Sequence, residues 1–430
     1  VYFDASRLCN RGGASPTGID RVDLAYLAAL RQAADLDLRL LRFDQLGPRL
    51  LSPAAAQDLF DGVGRRWSAA PEARAEAAFG SLRQWLEAPA GTARPTLPPE
   101  QTGFSPGRLA PALADALRRP ADRIRLERLQ RGAALPSVYL NTSHGGLFRP
   151  AVAHWLERSG SRGVFFVHDL IPLEYPEFNR PREPARHAAR LRTISAHAQQ
   201  VLVNSEATRQ ALLRYLGRQG LRQPPVSVLP LGVEPRLSGD AVAPLNPALP
   251  YFVVLSTIEP RKNHQLLLQL WRRWVEAEGP GAARLVVLGR RGWENQTVFN
   301  QLDRTPQLQQ HVVECAGLAD AQLGALLRGA RALLSPSFAE GFGLPLAEAL
   351  ALGTPVLASS IEAHREVGGD HAEYLDPLDG GAWLQALRDY AATPSPRRER
   401  RLRSLPQYRP PGWEEHLPHA LQLLRHTAQA

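Results

Sequence analysis

Ser335-Pro336-Ser337-Phe338-Ala339-Glu340-Gly341-Phe342-Gly343-Leu344-Pro345-Leu346-Ala347-Glu348-Ala349-Leu350 reads as a strand end, a loop and a helix start. Its glycines permit close backbone approach, and Pro345 suits a first helical turn, where a missing N–H costs nothing. The amides of about Gly343 to Leu346 then form a helix N-terminus facing a cleft, a favourable place for phosphate. Glu340 lies in the loop and Glu348 one turn into the helix. Two acceptors with seven residues between them across such a loop can each take paired donors, such as vicinal sugar hydroxyls. Phosphate and polyol handled together describe a nucleotide sugar.

The chain has one lysine, Lys262, against 50 arginines out of 51 Lys+Arg. It stands in Thr257-Ile258-Glu259-Pro260-Arg261-Lys262-Asn263-His264, after the apolar run Tyr251-Phe252-Val253-Val254-Leu255. A strand that empties into an Arg-Lys loop ahead of a helix is a place to hold an anion. The guanidinium offers a planar fork and the ammonium a compact point charge, which together suit a diphosphate. Upstream, His168 ends the apolar strand Gly163-Val164-Phe165-Phe166-Val167 and projects into the cleft from the first half of the chain. Asp169 either orients His168 or meets an acceptor, or else caps the next turn. Gly18-Ile19-Asp20-Arg21 starts a helix after the first strand. Gly18 and Arg21 contact phosphate or acceptor there, or Thr17 simply caps the helix.

Short β-rich runs alternate with helical periodicity, which predicts an α/β doubly wound architecture. Strands are expected at Val1–Ala5, Leu36–Phe43, Val138–Asn141, Gly163–Val167, Val201–Asn204 and Val226–Pro230. The second half repeats the rhythm at Tyr251–Ser256, Arg284–Leu288, Val312–Ala316, Ala332–Pro336, Pro355–Ser359 and Glu373–Asp376. Residues 233–250, rich in proline and glycine and without periodicity, read as the interdomain linker. Two α/β domains joined this way bind ligand in the cleft between them, at the carboxyl ends of their strands. Residues 50–135 read as a helical insertion, with helical spacing in Phe79/Leu82/Leu86 and Leu109/Leu113/Leu117 and an arginine cluster over 118–131. Its expected role is packing on the first domain with a solvated basic face; a sharper alternative is contact with acceptor or membrane.

Composition sets the outer bounds. A hydrophobic share of 44% with 22% charged residues suits a soluble protein of two or three domains. No run approaches about 18 apolar residues, the length a membrane span needs. Cys9 and Cys315 form no metal-spaced pair, and Val1 opens in a strand without a secretory-leader pattern; both suit a reducing cytoplasm. Net charge is +9, which admits nucleic acid, an anionic membrane or a phosphorylated substrate.

Taken in order, these motifs resemble a retaining glycosyltransferase of family 4. The matching parts are Glu340-x7-Glu348, the Ser256–His264 loop, Val286-Val287-Leu288-Gly289 and His168-Asp169-Leu170-Ile171-Pro172, with Val203-Asn204-Ser205 and Pro230-Leu231-Gly232-Val233. The N-terminal Thr17-Gly18-Ile19-Asp20-Arg21-Val22 and the Arg-Lys loop most resemble mannosyltransferases of bacterial surface-polysaccharide assembly. The resemblance implies the GT-B fold, two Rossmann-like domains facing a central cleft. Residues 1–235 and a returning C-terminal helix at 405–430 form the acceptor-side domain, and 236–404 the nucleotide-sugar domain. It also implies that His168, Arg261, Lys262 and Glu340 carry the chemistry, Arg261 and Lys262 on the donor diphosphate and Glu340 on the transferred sugar. Glu348 is implied to hold the ribose, Phe342, Gly343 and Leu344 to contact sugar and phosphate through their amides, and the turn Cys315-Ala316-Gly317-Leu318 to cradle the base near Gly289. No cofactor and no metal ion is implied. The favoured donor is GDP-mannose, the acceptor a glycan or lipid-linked oligosaccharide, and the place the cytoplasm or the inner face of the membrane.

Rivals remain at this point, a phosphorylase on the same frame and a catalytically silent scaffold among them. A sugar-nucleotide epimerase on the same frame would convert donor without acceptor. A nucleic-acid-binding protein would need exposed aromatics among its basic residues, and aromatics make up only 7% of the chain.

Overall fold

The computed structural model describes residues 1–11, 17–44, 47–68, 73–97, 126, 137–233 and 242–429. The first sheet contains β1 (Tyr2–Asp4), β2 (Arg39–Asp44), β3 (Gly47–Leu50), β4 (Val138–Asn141), β5 (Arg162–Val167), β6 (Ala198–Val203) and β7 (Val226–Val228). Their order is β3-β2-β1-β4-β5-β6-β7. The second sheet contains β8 (Tyr251–Leu255), β9 (Arg284–Leu288), β10 (Val312–Cys315), β11 (Leu333–Ser335), β12 (Val356–Ser359) and β13 (Glu373–Leu375), in the order β10-β9-β8-β11-β12-β13. Every neighbouring pair is parallel except β2 with β3. Both sheets reverse their strand order once, between β1 and β4 and between β8 and β11. Those switch points leave a crevice beyond the strand ends, where ligands bind in this architecture.

Each apolar run expected to be a strand carries one, because strands buried on both faces need continuous β-branched and aromatic residues. The strand the sequence conceals is β3, Gly47-Pro48-Arg49-Leu50. It lacks the apolar run that marks the other strands, and its proline is tolerated because it lies on an antiparallel edge, opposite Phe43.

The insertion departs from expectation. The helix Pro53–Ser68 does lean on the first domain, through Ala55, Ala56, Leu59 and Phe60. The helix Ala73–Glu87 instead buries Phe79, Leu82, Trp85 and Leu86 in the second domain's core, against Tyr251, Val253, Val286 and Val313. Arg284 explains the docking. Its fully buried guanidinium donates to the carbonyls of Trp85 (2.5 Å), Leu86 (3.0 Å) and Pro89 (3.0 Å) and lies 4.7 Å from the Trp85 ring. A cation thus satisfies the orphan carbonyls of a helix C-terminus. Arg94 adds bonds to the carbonyls of Leu302 (2.7 Å) and Val312 (3.1 Å). A hydrophobic repeat says that a helix face is buried, not which domain buries it. The expected Leu109/Leu113/Leu117 helix and the 118–131 arginines lie outside the described residues, as does 234–241 of the linker. Trp85→Ala is expected to cost about 3–5 kcal/mol, read as a lower urea midpoint for the second domain.

The helix Trp413–Gln429 packs back on the first domain, with Ala420 and Leu424 in its core. His416 Nδ1 bonds the Pro230 carbonyl at 2.8 Å, and Arg425 pairs with Asp35. Leu405 and Tyr408 stay in the second domain's core, so the return crossing begins after Tyr408 rather than at 405.

Candidate functional site

The loop after β8 and the loop after β11 meet at the switch point of the second sheet. Arg261 Nη1 donates to Glu340 Oε2 at 2.7 Å and to the Ala339 carbonyl at 2.9 Å, while its Nε lies 2.6 Å from Glu259 Oε1. Lys262 Nζ is 2.5 Å from Glu340 Oε1, which also accepts from Ser337 Oγ at 2.7 Å. Both carboxylates are nearly inaccessible, with side chains 3% exposed for Glu259 and 7% for Glu340. Burial alone would raise the Glu340 pKa, but Arg261 and Lys262 outweigh it and hold the carboxyl well below its ordinary range. Burial, then Arg261, lowers Lys262 from its ordinary value. Two cations and two carboxylates make this cluster neutral overall, so Arg261 and Lys262 come to a diphosphate already paired with Glu259 and Glu340. Arg261 spends Nε and Nη1 on the protein, so Nη2 is the edge it can turn to a ligand.

A small pocket opens beside the cluster, lined by Ser256, Lys262, Ser335, Ser337, Glu340 and Gly343. Gly343 has φ 95° and precedes the helix Leu344–Ala351, whose second residue is Pro345. Gly343 and Pro345 line the pocket, and the Leu346 N–H, which the sequence pattern offered to a phosphate, is taken by the Gly343 carbonyl at 2.9 Å. Glu348 is buried on the same helix. Gly289 ends β9 so close to β8 that a Cβ would lie 1.8 Å from the Ser256 carbonyl oxygen, which demands glycine whatever else it touches. Gly317, at φ 75°, turns the chain after Cys315 at the end of β10.

The opposite wall is the end of β5. His168 Nε2 lies 2.7 Å from the Thr142 carbonyl, its backbone N–H donates to His144 Nε2 at 3.0 Å, and its ring stacks on Phe166 at 4.6 Å. Burial pushes the imidazole down to about 4, so it is neutral at physiological pH. A carbonyl can only accept, so Nε2 carries the proton and Nδ1 the lone pair.

The walls touch. Gly341 packs on His168 so tightly that a Cβ would meet its carbonyl oxygen at 2.1 Å. The Gly341 carbonyl accepts from Ser205 Oγ (2.7 Å) and Thr208 Oγ1 (3.2 Å). Glu366 caps the helix Glu206–Arg218, accepting from the amides of Glu206 (2.7 Å) and Ala207 (3.1 Å). Phe178 stacks on Phe338 at 5.3 Å, and Phe342 buries its side chain in the first domain's core. The molecule is closed around its cleft.

Among the expected residues, Arg261, Lys262 and Glu340 converge, and His168 adjoins them through Gly341. Arg21 pairs with Asp320 of the second domain at 2.7 Å, a bond across the cleft. Gly18 lies against the Leu344 side chain. The Thr17 N–H donates to Asp20 at 2.8 Å, the arrangement of a helix start. Asp169 Oδ1 accepts from the Ile171 N–H at 3.1 Å, so it does cap the next turn. Sequence reasoning left Glu259, His144, His364 and Ser205 without a role. His364 Nε2 lies 3.2 Å from Ser335 Oγ, yet a histidine in mid-helix carries no pattern that would reveal it. Among the described residues no three His, Cys, Asp or Glu are grouped to hold a metal ion, and no helix is long and apolar enough to cross a membrane.

Buried neutral histidines carry a pH consequence. Burial lowers His144, His187, His311 and His364, and takes His264 to about 3 and His168 and His416 to about 4. In the unfolded chain each titrates near ~6.5. Below that value the unfolded state binds protons that the folded state refuses. Stability is therefore whole above pH ~6.5 and is lost as pH falls toward the folded values. Melting temperature should drop steadily from about pH 6.5 to 4; a flat profile would mean these rings are not held neutral.

Two family models match in succession: one described as Glycosyltransferase Family 4, over residues 90–237, and one as Glycosyl transferases group 1, over 240–393. Among curated proteins, the Escherichia coli serotype-specific mannosyltransferase WbdA is 27% identical over 252 residues, 55% of this chain and 31% of that protein. The O-antigen chain mannosyltransferase B of the same species is 28% identical over 255 residues, 55% of this chain and 63% of that one. The chain thus matches about a third of WbdA's length. Among solved structures, Anabaena HepE in complex with UDP aligns over 99% of both chains at 15% identity with a TM-score of 0.60. The sucrose-phosphate synthase of Thermosynechococcus elongatus aligns over 99% of this chain and 98% of its own, at 17% identity and 0.59. Both share the GT-B fold.

Proposed function

This chain belongs to the family 4 glycosyltransferases, and we propose from that premise that it moves a hexose from a nucleoside-diphosphate sugar to a glycan or lipid-linked oligosaccharide, with retention at the anomeric carbon. The carrying observation is the junction of Arg261, Lys262 and Glu340 with His168 through Gly341. Mannose is the favoured hexose, since WbdA and the O-antigen enzyme are named mannosyltransferases. GDP-mannose is the donor to test first, and UDP-glucose, present in another HepE complex, the second.

In the proposed reaction the bond from the anomeric carbon to the diphosphate breaks, and its electron pair leaves with the phosphate oxygen. Arg261 Nη2, Lys262 and the amides at Gly343 and Leu344 receive that charge in fixed positions, which is the main catalytic need. They supply counter-charge without a divalent ion. Glu340, held by the same cations, accepts from hydroxyls of the sugar, and Glu348 takes the ribose. The acceptor hydroxyl attacks from the face the diphosphate vacates and gives its proton to a leaving-group oxygen. His168 Nδ1 accepts from a sugar hydroxyl at the reaction centre. We place this chemistry in the cytoplasm, where nucleotide sugars are made.

A panel of sugar nucleotides tests the reading. The matching donor should raise the melting temperature by mass action and release nucleoside diphosphate only when a glycan acceptor is added. Donor conversion with no acceptor would overturn transfer in favour of epimerisation.

A further inference from the structure

His168 is restrained at almost every polar atom. Its N–H reaches His144, its carbonyl accepts from Asn204 Nδ2 at 3.0 Å, and Nε2 faces the Thr142 carbonyl at 2.7 Å. Two of the groups behind these bonds carry costs of their own. His144 is buried and sits at φ 58°, a conformation uncommon for a residue with a Cβ. Strained backbone of this kind persists where the surroundings over-determine it. Here the turn aims His144 Nε2 at the His168 amide, which requires that nitrogen to be the unprotonated one; burial, by lowering its pKa, keeps the ring neutral.

Asp23 is the second. It lies on the helix Gly18–Gln32 and is completely buried; Oδ1 accepts from Thr142 Oγ1 at 2.7 Å, while Oδ2 has no hydrogen-bond partner among the described residues. An apolar side chain would fill that place with no polar atom to satisfy. Burial raises the carboxyl to about 8, with Arg7, Asp20 and Asp4 the charged groups that act on it. Asp23 therefore serves as a neutral hydrogen-bonding group. Thr142 is bonded on both sides, its hydroxyl to Asp23 and its carbonyl to His168.

We propose that Asp23 and His144 are positioning residues for His168, Asp23 by fixing the Thr142 peptide and His144 by fixing the His168 main chain, so that Nε2–H is committed to Thr142 and Nδ1 is presented to the substrate. The proposal rests on His168 being the first domain's contact with the transferred sugar, as argued above. It makes Asp23 necessary for its hydrogen bond and not for its charge.

The test uses the full chain with 15N-labelled histidine, the His168 signals being assigned by H168Q. Wild type should show His168 as the Nε2–H tautomer. Thr142→Val exchanges one hydroxyl for a methyl, keeps the carbonyl and guards against a variant that fails to fold. Thr142→Val and Asp23→Ala should each mix the His168 tautomers and lower kcat about tenfold, with the donor KM changed less than about twofold. Asp23→Asn, which keeps the acceptor for Thr142, should restore most of both readouts, and His144→Ala should act as Asp23→Ala does. Unchanged His168 spectra in Thr142→Val and Asp23→Ala, or Asp23→Asn no better than Asp23→Ala, would overturn the proposal. If wild type transfers no hexose from any donor, the functional reading fails by itself, and the nitrogen spectra still decide the positioning.

Discussion

Replacing Lys262 with alanine is expected to cut transfer by about 10³-fold in kcat, roughly 4 kcal/mol, the upper end for removing one preorganised group from developing negative charge. The effect should fall on chemistry more than on folding. Glu340 would keep Arg261 Nη1 at 2.7 Å and Ser337 at 2.7 Å, so its buried charge would not be stranded. The same change at Arg261 would be a poorer probe. It would leave Glu259, 3% exposed, facing no cation at 2.6 Å, and an unpaired buried carboxylate destabilises strongly. Steady-state kinetics with the matching donor, alongside a melt of the variant without donor, separates the two. A Lys262→Ala protein that melts like wild type and still turns over at its rate would remove the lysine from the reaction.

The neutrality of the cluster sharpens that prediction. An incoming diphosphate does not meet bare cations; it must take hydrogen bonds from groups that already hold carboxylates. Glu340→Gln is the complementary change, since it removes one negative charge and keeps the shape. Free nucleoside diphosphate should then bind more tightly while transfer falls, a split a purely structural carboxylate would not give.

What the sequence disclosed follows from how short-range each signal is. Strands buried on both faces announce themselves as apolar runs, so β4 and β9 are legible to the residue. The Arg-Lys loop and the Glu340–Glu348 loop are legible because each sets unusual residues at fixed spacing after a strand. Partners brought from afar were not. Trp85 meets Arg284 across 199 residues, and Asp23 meets Thr142 across 119; no local pattern records either bond. The position of the inserted helix was missed for the same reason, since an amphipathic face fits either domain equally well. The bonding of Glu259 was hidden in plain view, two residues before Arg261, because adjacency in a loop does not say which way a carboxylate turns.

Gly341→Ala should all but abolish transfer while donor binding survives. The methyl group would fall 2.1 Å from the His168 carbonyl oxygen and 3.0 Å from the Asp169 Cβ, and the first of these neighbours is backbone that cannot rotate away. The obstacle is the opposing domain. Relief requires the two walls to part by about 1 Å, and a displacement of that size at a reacting centre can cost about 10²-fold in rate. The parting would also stretch the bonds from Ser205 and Thr208 to the Gly341 carbonyl, each of which closes the cleft. Arg261, Lys262 and Glu348 all belong to the second domain and would keep their places, so the donor should still raise the melting temperature as in wild type. Small-angle scattering would then show a larger radius of gyration for Gly341→Ala with donor than for wild type with donor. Ser205→Ala removes a closing bond without adding bulk and should cost far less, about 1 kcal/mol. Wild-type turnover in Gly341→Ala would mean that the contact between Gly341 and His168 is not the one in which transfer occurs.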